Sequence, residues 1–286
     1  MARGEIADIL SETIGDLPSF SQVLTRLSQI TVNPASSAAQ VAEVIKLDPA
    51  LTAKVLRLAN SAYVGIPRTI DSLKNAVVLL GQKRVYSLAL TSGVLQALKK
   101  KEKLPFSQRD YWRHSVAVGM IAESISKSVR RRDTIDSDEA FTAGLLHDIG
   151  KLALGCFRAE HIQAAAGRCL ENSIPFFMAE QSETSHTTIG GLLARKWNFP
   201  EELCNVISCH HGPALSVTGK RMVSTVHLSD GIAHFVNVST IPGETPPKLD
   251  PEAIALINIQ PERLRAIAGE ALCDEKKIES LIECII

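Results

Sequence analysis

The sequence predicts an all-α fold, and three observations predict it. Apolar residues recur at three- and four-residue intervals through most of the chain. Alternating β-branched stretches of strand length are nearly absent, and helix-starting and helix-ending residues punctuate the pattern at regular intervals. At 286 residues the chain is long enough to bury a substantial core in one or two domains.

Segment 20–31 places Phe20, Val23, Leu24, Leu27 and Ile30 at helical spacing. Segment 37–46 opens on Ser36-Ser37, which supplies an N-cap. Asp48-Pro49 starts the next helix, with Pro49 in a first-turn position where its missing N–H costs little. That helix carries Leu51, Val55, Leu56 and Leu58 and ends near Asn60-Ser61. Asp71 is read as the cap of a helix through Leu80, Gly81-Gln82 as a break, and Lys83 to Lys100 as a further helix. The polar run Lys99-Lys100-Lys101-Glu102-Lys103 before Pro105 is the best internal boundary, and Arg130-Arg131-Arg132-Asp133 reads as a surface turn. Helices are expected over about 109–130, 136–147, 155–172, 175–197, 200–211 and 220–235. Segment 239–250 is a loop, because Pro242, Pro246, Pro247 and Gly243 do not fit a helix interior. Short helices close the chain over 251–285. The expected organisation is an N-terminal helical part over 1–103, a helical core over 104–238, and a loop with C-terminal helices over 239–286.

Charge and composition narrow the function. Lys plus Arg equals Asp plus Glu at 31 each, so no global field draws the chain to nucleic acid or to an acidic membrane. No run of about 18 apolar residues reads as a transmembrane span. Residues Met1 to Ile6 lack the apolar core of a signal peptide, which makes a cytoplasmic location the expectation. The six cysteines form no C-x-x-C pair and read as small buried hydrophobes, with Cys209 set apart by its neighbour His210.

The chemistry concentrates in Gly144-Leu145-Leu146-His147-Asp148-Ile149-Gly150-Lys151, where two metal-ligand side chains adjoin at the end of an apolar helix and Gly150 lets the chain turn. His114 lies early in a helix with apolar positions at 116, 117, 120, 121 and 125. His186 is followed four residues later by Gly190, and small residues there admit a close neighbour. His210-His211 ends a helix, and Asp230 sits mid-helix beside Gly231. His161 and His234 read as surface or satisfied core residues, and His227 as structural. The remaining donors suggest one site from His114, His147, Asp148 and Asp230. A second comes from His186, His210 and His211, with Asp148 bridging. Imidazole and carboxylate donors without thiolate suit one or two divalent transition metals, Fe or Mn foremost, with Ni, Co or Zn also compatible.

His114, His147-Asp148 and Asp230, in this order and on helices, resemble the HD superfamily of metal-dependent phosphohydrolases. Glu183, His186 to Gly190 and His210-His211 look like the additions of its HD-GYP branch. Lys151 stands where that family has a phosphate-contacting lysine. The glutamate, aspartate and G-Y-P that follow the HD-GYP histidine pair are replaced here by Gly212-Pro213-Ala214-Leu215-Ser216. Asp48-Pro49-Ala50-Leu51 and Leu56-Arg57-Leu58-Ala59-Asn60-Ser61-Ala62 resemble instead the HDOD, or HD-related output, domain. That resemblance covers about residues 15–235. It implies an HD-domain-like helical bundle with an N-terminal helical subdomain, in a bacterial signal-transduction output module. Many such domains have lost the HD ligands; this chain departs from them by keeping every ligand type, which reads as a retained metal centre without efficient catalysis. Its partners would be signalling proteins or a small phosphorylated ligand. The alternative is a metal-dependent phosphohydrolase acting on a nucleotide or cyclic dinucleotide. In that case Lys151 and His186 are the catalytic candidates, the histidine as a proton shuttle. Lys54 and Arg57 are the candidates in the N-terminal part for facing a ligand cleft.

Overall fold

The computed structural model describes residues 22–33, 35–98, 104–129, 135–273 and 275–286. All regular elements among them are helical, as the sequence predicts. The expectations at residues 1–21, at Lys99–Lys103 and at Arg130–Asp133 lie outside the described residues. No described helix is long and apolar enough to cross a membrane.

The chain divides into two compact units. One contains the described residues up to Ala97 together with the C-terminal helix, and the other runs from Leu98 to Cys273. The first unit holds α1 (Gln22–Val32), α2 (Ala38–Ile45), α3 (Pro49–Ala59), α4 (Leu73–Leu80), α5 (Gln82–Ala97) and α16 (Glu275–Ile285). Ser37 starts α2 with a full capping box, its hydroxyl accepting the Gln40 N–H while the Gln40 side chain accepts the Ser37 N–H. Asp48 starts α3 by accepting the Ala50 and Leu51 N–H groups at 3.0 Å each, with Pro49 at the first helical position. The cap of α4 is Ser72 rather than Asp71: the chain enters one residue later, and the Ser72 hydroxyl takes the Asn75 N–H. Asn60 pins the intervening loop, its amide accepting the Ile70 N–H at 2.7 Å and donating to the Ile70 carbonyl at 2.8 Å. Lys54 and Arg57 donate to the carbonyls of Ile285 and Glu283, at the end of α16. They satisfy orphan carbonyls and oppose the negative end of that helix.

The second unit comprises α6 (Gln108–Ser128), α7 (Ser137–Leu146), α8 (Ile149–Phe157), α9 (Ala159–Asn172), α10 (Phe176–Ala179), α11 (His186–Lys196), α12 (Glu201–Cys209), α13 (Lys220–Phe235), α14 (Pro251–Ile257) and α15 (Pro261–Cys273). Two expected helices are broken. Segment 155–172 is interrupted at Arg158, whose backbone leaves the helical region at φ −143° and ψ 55°, and α8 begins earlier, at Ile149. Segment 175–197 stops after α10, and Ser185 caps a new helix by accepting the Thr188 N–H.

Close backbone approach sets the geometry of this unit. A Cβ on Gly144 would lie 2.8 Å from the Gly119 backbone, so α6 and α7 meet main chain to main chain. Gly150 is not a turn residue but lies in the first turn of α8. A Cβ there would stand 1.8 Å from the His186 carbonyl oxygen, and one on Gly190 would stand 3.1 Å from the Gly150 nitrogen. Glycines at 150 and 190 therefore let α8 and α11 cross in contact, which presses His186 against the start of α8.

Gly150→Ala forces these two backbones apart. The expected cost is about 2–3 kcal/mol, as for other overpacked interiors, or a melting midpoint lowered by about 5–10 °C. Gly167→Ala, in α9 with open space around the added methyl, is expected to melt at or slightly above the wild-type temperature. Differential scanning calorimetry of the pair checks this, and equal midpoints would refute the packing argument.

Candidate metal centre

The His147-Asp148 pair forms the two-residue junction between α7 and α8. His147 is the C-cap of α7 and Asp148 the N-cap of α8. An aspartate at an N-cap normally accepts the N–H groups of the first turn, yet Asp148 makes no such bond. Its carboxylate turns inward instead. Oδ2 faces His147 Nε2 at 3.4 Å and His114 Nε2, from α6, at 3.6 Å. Oδ1 faces His186 Nε2 at 3.3 Å, from the first turn of α11, and His210 Nε2 at 3.6 Å, from the end of α12. Asp230, in the middle of α13, reaches His114 at 3.2 Å and His147 at 3.7 Å through Oδ1. Its Oδ2 lies 3.7 Å from His211 Nδ1. His211 Nε2 is 3.2 Å from His186 Nε2, and its ring stacks on Phe177 with centroids 4.3 Å apart.

The structure thus brings together His114, His147, Asp148, His186, His210, His211 and Asp230, all seven ligand candidates of the sequence. His114, His147, Asp148, His186, His210 and Asp230 are at most 1% exposed. Lys151 joins them, its Nζ 2.8 Å from Asp148 Oδ2 and 5.3 Å from the centre of the Phe176 ring.

The outer nitrogens of the imidazoles are anchored. His114 Nδ1 donates to the Val238 carbonyl at 2.8 Å and His147 Nδ1 to the Gly144 carbonyl at 2.7 Å. His210 Nδ1 shares the carbonyls of Val206 and Ile207 at 3.2 Å each. His186 Nδ1 lies 2.5 Å from Glu180 Oε2, while Glu180 Oε1 accepts the His186 N–H at 2.9 Å. A proton fixed on Nδ1 leaves the Nε2 lone pair aimed inward, the arrangement that orients metal-binding histidines. His114 Nε2, His147 Nε2 and both Asp230 oxygens are buried without a well-directed hydrogen bond, a costly state for polar atoms unless something else engages them. Donors about 2.0–2.2 Å from one ion lie roughly 3.0–3.6 Å from each other, which is the spacing found here. The donors fit cations on either side of Asp148: Asp148 with His186, His210 and His211 on one, and Asp148 with His114 and His147 on the other.

Electrostatics follow from burial. Burial pushes both carboxyls up, but His147 and Lys151 around Asp148, and His234 and His114 around Asp230, outweigh it and hold both well below the usual carboxylate range. His147 resists its own burial through the two carboxylates and is raised to about 10. Burial dominates at His210, lowered to about 4, and at His211, which with His210 beside it is held well below the usual imidazole range. Cation binding would displace the His147 proton.

Two residues of this centre were not read from the sequence as members. Glu180, not the exposed Glu183, is the glutamate on His186. His234, read as a satisfied core or surface residue, lies with Nε2 3.2 Å from Asp230 Oδ1. The spacing of four residues along α13 after Asp230 was the available signal. His227 is structural: Nδ1 donates to the His210 carbonyl and Nε2 accepts the Asp250 N–H. His161 is half-buried and lines a cavity with Arg168 and Glu180. Burial pushes the Cys209 thiol up, the opposite of an activated thiolate.

Comparison with known proteins places this arrangement. The family model of the HDOD domain matches residues 17–213. An uncharacterized protein of Treponema pallidum is 25% identical over 272 residues, 94% of this chain, which spans only 51% of that relative's length. A solved structure from Marinobacter aquaeolei, named as a candidate signal transduction protein, superposes with a TM-score of 0.84 at 19% identity. It covers all of this chain and 66% of its own. One from Shewanella amazonensis, named as a candidate phosphohydrolase, superposes with a TM-score of 0.73 at 25% identity, covering 97% of this chain and 98% of its own.

Asp148→Ala removes the carboxylate shared by both halves. Elemental analysis at buffered micromolar free metal is expected to find bound metal in the wild type and nearly none in this variant. Glu180→Gln keeps every donor atom but weakens the anchor of His186, and is expected to lower metal affinity about 10–100-fold. Metal content that is the same in all three proteins would sink the assignment.

Proposed function

The chain belongs to the HDOD domain family, and we propose on that premise that it is a bacterial signal-transduction output module. It retains an HD-type dinuclear metal centre and does not turn over substrate efficiently. The carrying observation is the enclosure of a complete donor set. Catalytic metal sites keep a coordination position open to substrate, whereas six of the seven candidate ligands here are at most 1% exposed. Lys151 is likewise 2% exposed and engaged with Asp148 and Phe176. Five histidines and two carboxylates without thiolate favour iron or manganese. Partners on this reading are other signalling proteins or a small phosphorylated ligand.

A second reading, metal-dependent phosphohydrolysis, is favoured by one feature: a single carboxylate facing imidazoles on both of its oxygens. The similarity to a Shewanella protein named for that activity points the same way. Bound metals would supply Lewis acidity and an activated water. Lys151 would hold charge at the Asp148 carboxylate, and Glu180 would keep His186 in one tautomer.

Metal-loaded protein assayed against phosphomonoesters, nucleotides and cyclic dinucleotides separates the two. Turnover below about 0.01 per second is expected across the panel, against a typical enzyme value of about 10 per second. Metal-dependent turnover at enzyme-like rates would overturn the first reading in favour of the second.

A further inference from the structure

His234 stands between two buried carboxylates. Its Nδ1 lies 3.3 Å from Glu244 Oε1 and its Nε2 lies 3.2 Å from Asp230 Oδ1. The ring is 4.9 Å, centre to centre, from that of His114. The Glu244 side chain is 2% exposed and that of His234 4%. His234 Nδ1, Glu244 Oε1 and both Asp230 oxygens make no well-directed hydrogen bond. Buried polar atoms in that state lose the full cost of desolvation unless a further group engages them. His114, Asp230 and His234 each offer one donor atom within 4.8 Å of the others.

This cluster borders a cavity of its own, which does not include the partly exposed His211 of the inner donors. His234 and Glu244 line a cavity of about 360 Å³ together with Asp110, Arg113, Asn237 and Ser239. Two carboxylates, Asp110 and Glu244, border it, which suits a cation arriving from water.

We propose that His234, facing Glu244, forms with Asp230 and His114 an outer divalent-cation position at the floor of this cavity. The inference rests on the reading of the inner cluster as a metal centre. His114 Nε2 has one lone pair, so a cation held by His114, His147 and Asp148 excludes one held by His114, Asp230 and His234. The outer position is therefore an alternative seat, reached from the cavity that His234 and Glu244 line. Each of the two seats is built on three protein donors, and they compete for His114.

Manganese is the probe, since it is seen both by anomalous scattering and by electron paramagnetic resonance. Breaking the inner triad with His147→Ala should free His114 for the outer seat. Crystals of this variant in millimolar manganese are expected to show an anomalous peak among His114, Asp230 and His234. Adding His234→Ala should remove that peak and weaken manganese binding there at least tenfold. Adding Glu244→Gln instead, a milder change, should weaken it less, with all variants checked by thermal melting. No peak near His234 in the single variant, or equal affinity in the folded double variants, would overturn the outer position while leaving the inner centre standing. A wild-type protein that takes up no metal at all would instead sink the metal centre and the outer seat with it.

Discussion

A fully buried carboxylate at the junction of two helices is the constraint on which this structure depends. Asp148 gives up the capping bonds that its position offers and is 0% exposed. A charge taken out of water at that depth is tolerated only when partners surround it. Here the partners come from four directions: His147 and Lys151 beside it in sequence, His114 on α6, His186 on α11 and His210 on α12. Each of these helices must approach to within a side chain's reach. The packing of the unit is the means by which they do so.

The glycines are best understood from that requirement. Gly119 and Gly144 let α6 and α7 touch, and His114 and His147 sit within two turns of that contact. Gly150 and Gly190 let α8 and α11 touch, and His186 sits at it, with its own carbonyl oxygen filling the space a Gly150 side chain would need. The same logic extends outward to the hydrogen bonds. Backbone carbonyls at the ends of α7 and α12 and in the strand-free segment after α13 receive the Nδ1 protons. Ring orientation is thereby set by the helix ends rather than by flexible side chains. Of the four inner histidines anchored through Nδ1, His186 relies on a side chain, Glu180, and that glutamate also ties down the first N–H of α11.

The ligand candidates and most helices were legible because donors are rare residue types and amphipathic helices carry a period. What was not legible has physical reasons. Helix α8 (Ile149–Phe157) is buried on every face through Cys156, so it has no polar side to generate a period and reads as the tail of a turn. Gly150 was taken for a turn residue because sequence does not distinguish a glycine needed for its backbone freedom from one needed for its missing Cβ. The interruption between α10 and α11 follows from Ser185, whose capping hydroxyl competes with helix continuation. That interruption in turn decides which glutamate reaches His186. In an unbroken helix Glu183 would be one turn from it, but with the chain extended at Glu180 the earlier residue folds back onto the ring. Lys54 and Arg57, read as facing a cleft, are occupied by carbonyls at the end of α16, a partner about 230 residues away that no local pattern announces.

The enclosure of the donors bears on why a regulatory module would keep them. Six of the helices in the second unit, α6, α7, α8, α11, α12 and α13, contribute a donor or border one. A cation bound there would be held by residues from nearly every layer of the unit, and its binding energy would be folding energy for their mutual packing. In a hydrolase the same cation must leave a position for substrate, which loosens that hold. Stability drawn from the metal and access granted to a substrate compete for the same coordination sphere. The anchored imidazoles, the Lys151 cation placed against Asp148 and the absence of exposure at the inner ligands all lie on the side of stability. On the α13 side, His234 and Glu244 line a cavity that a cation from water can enter.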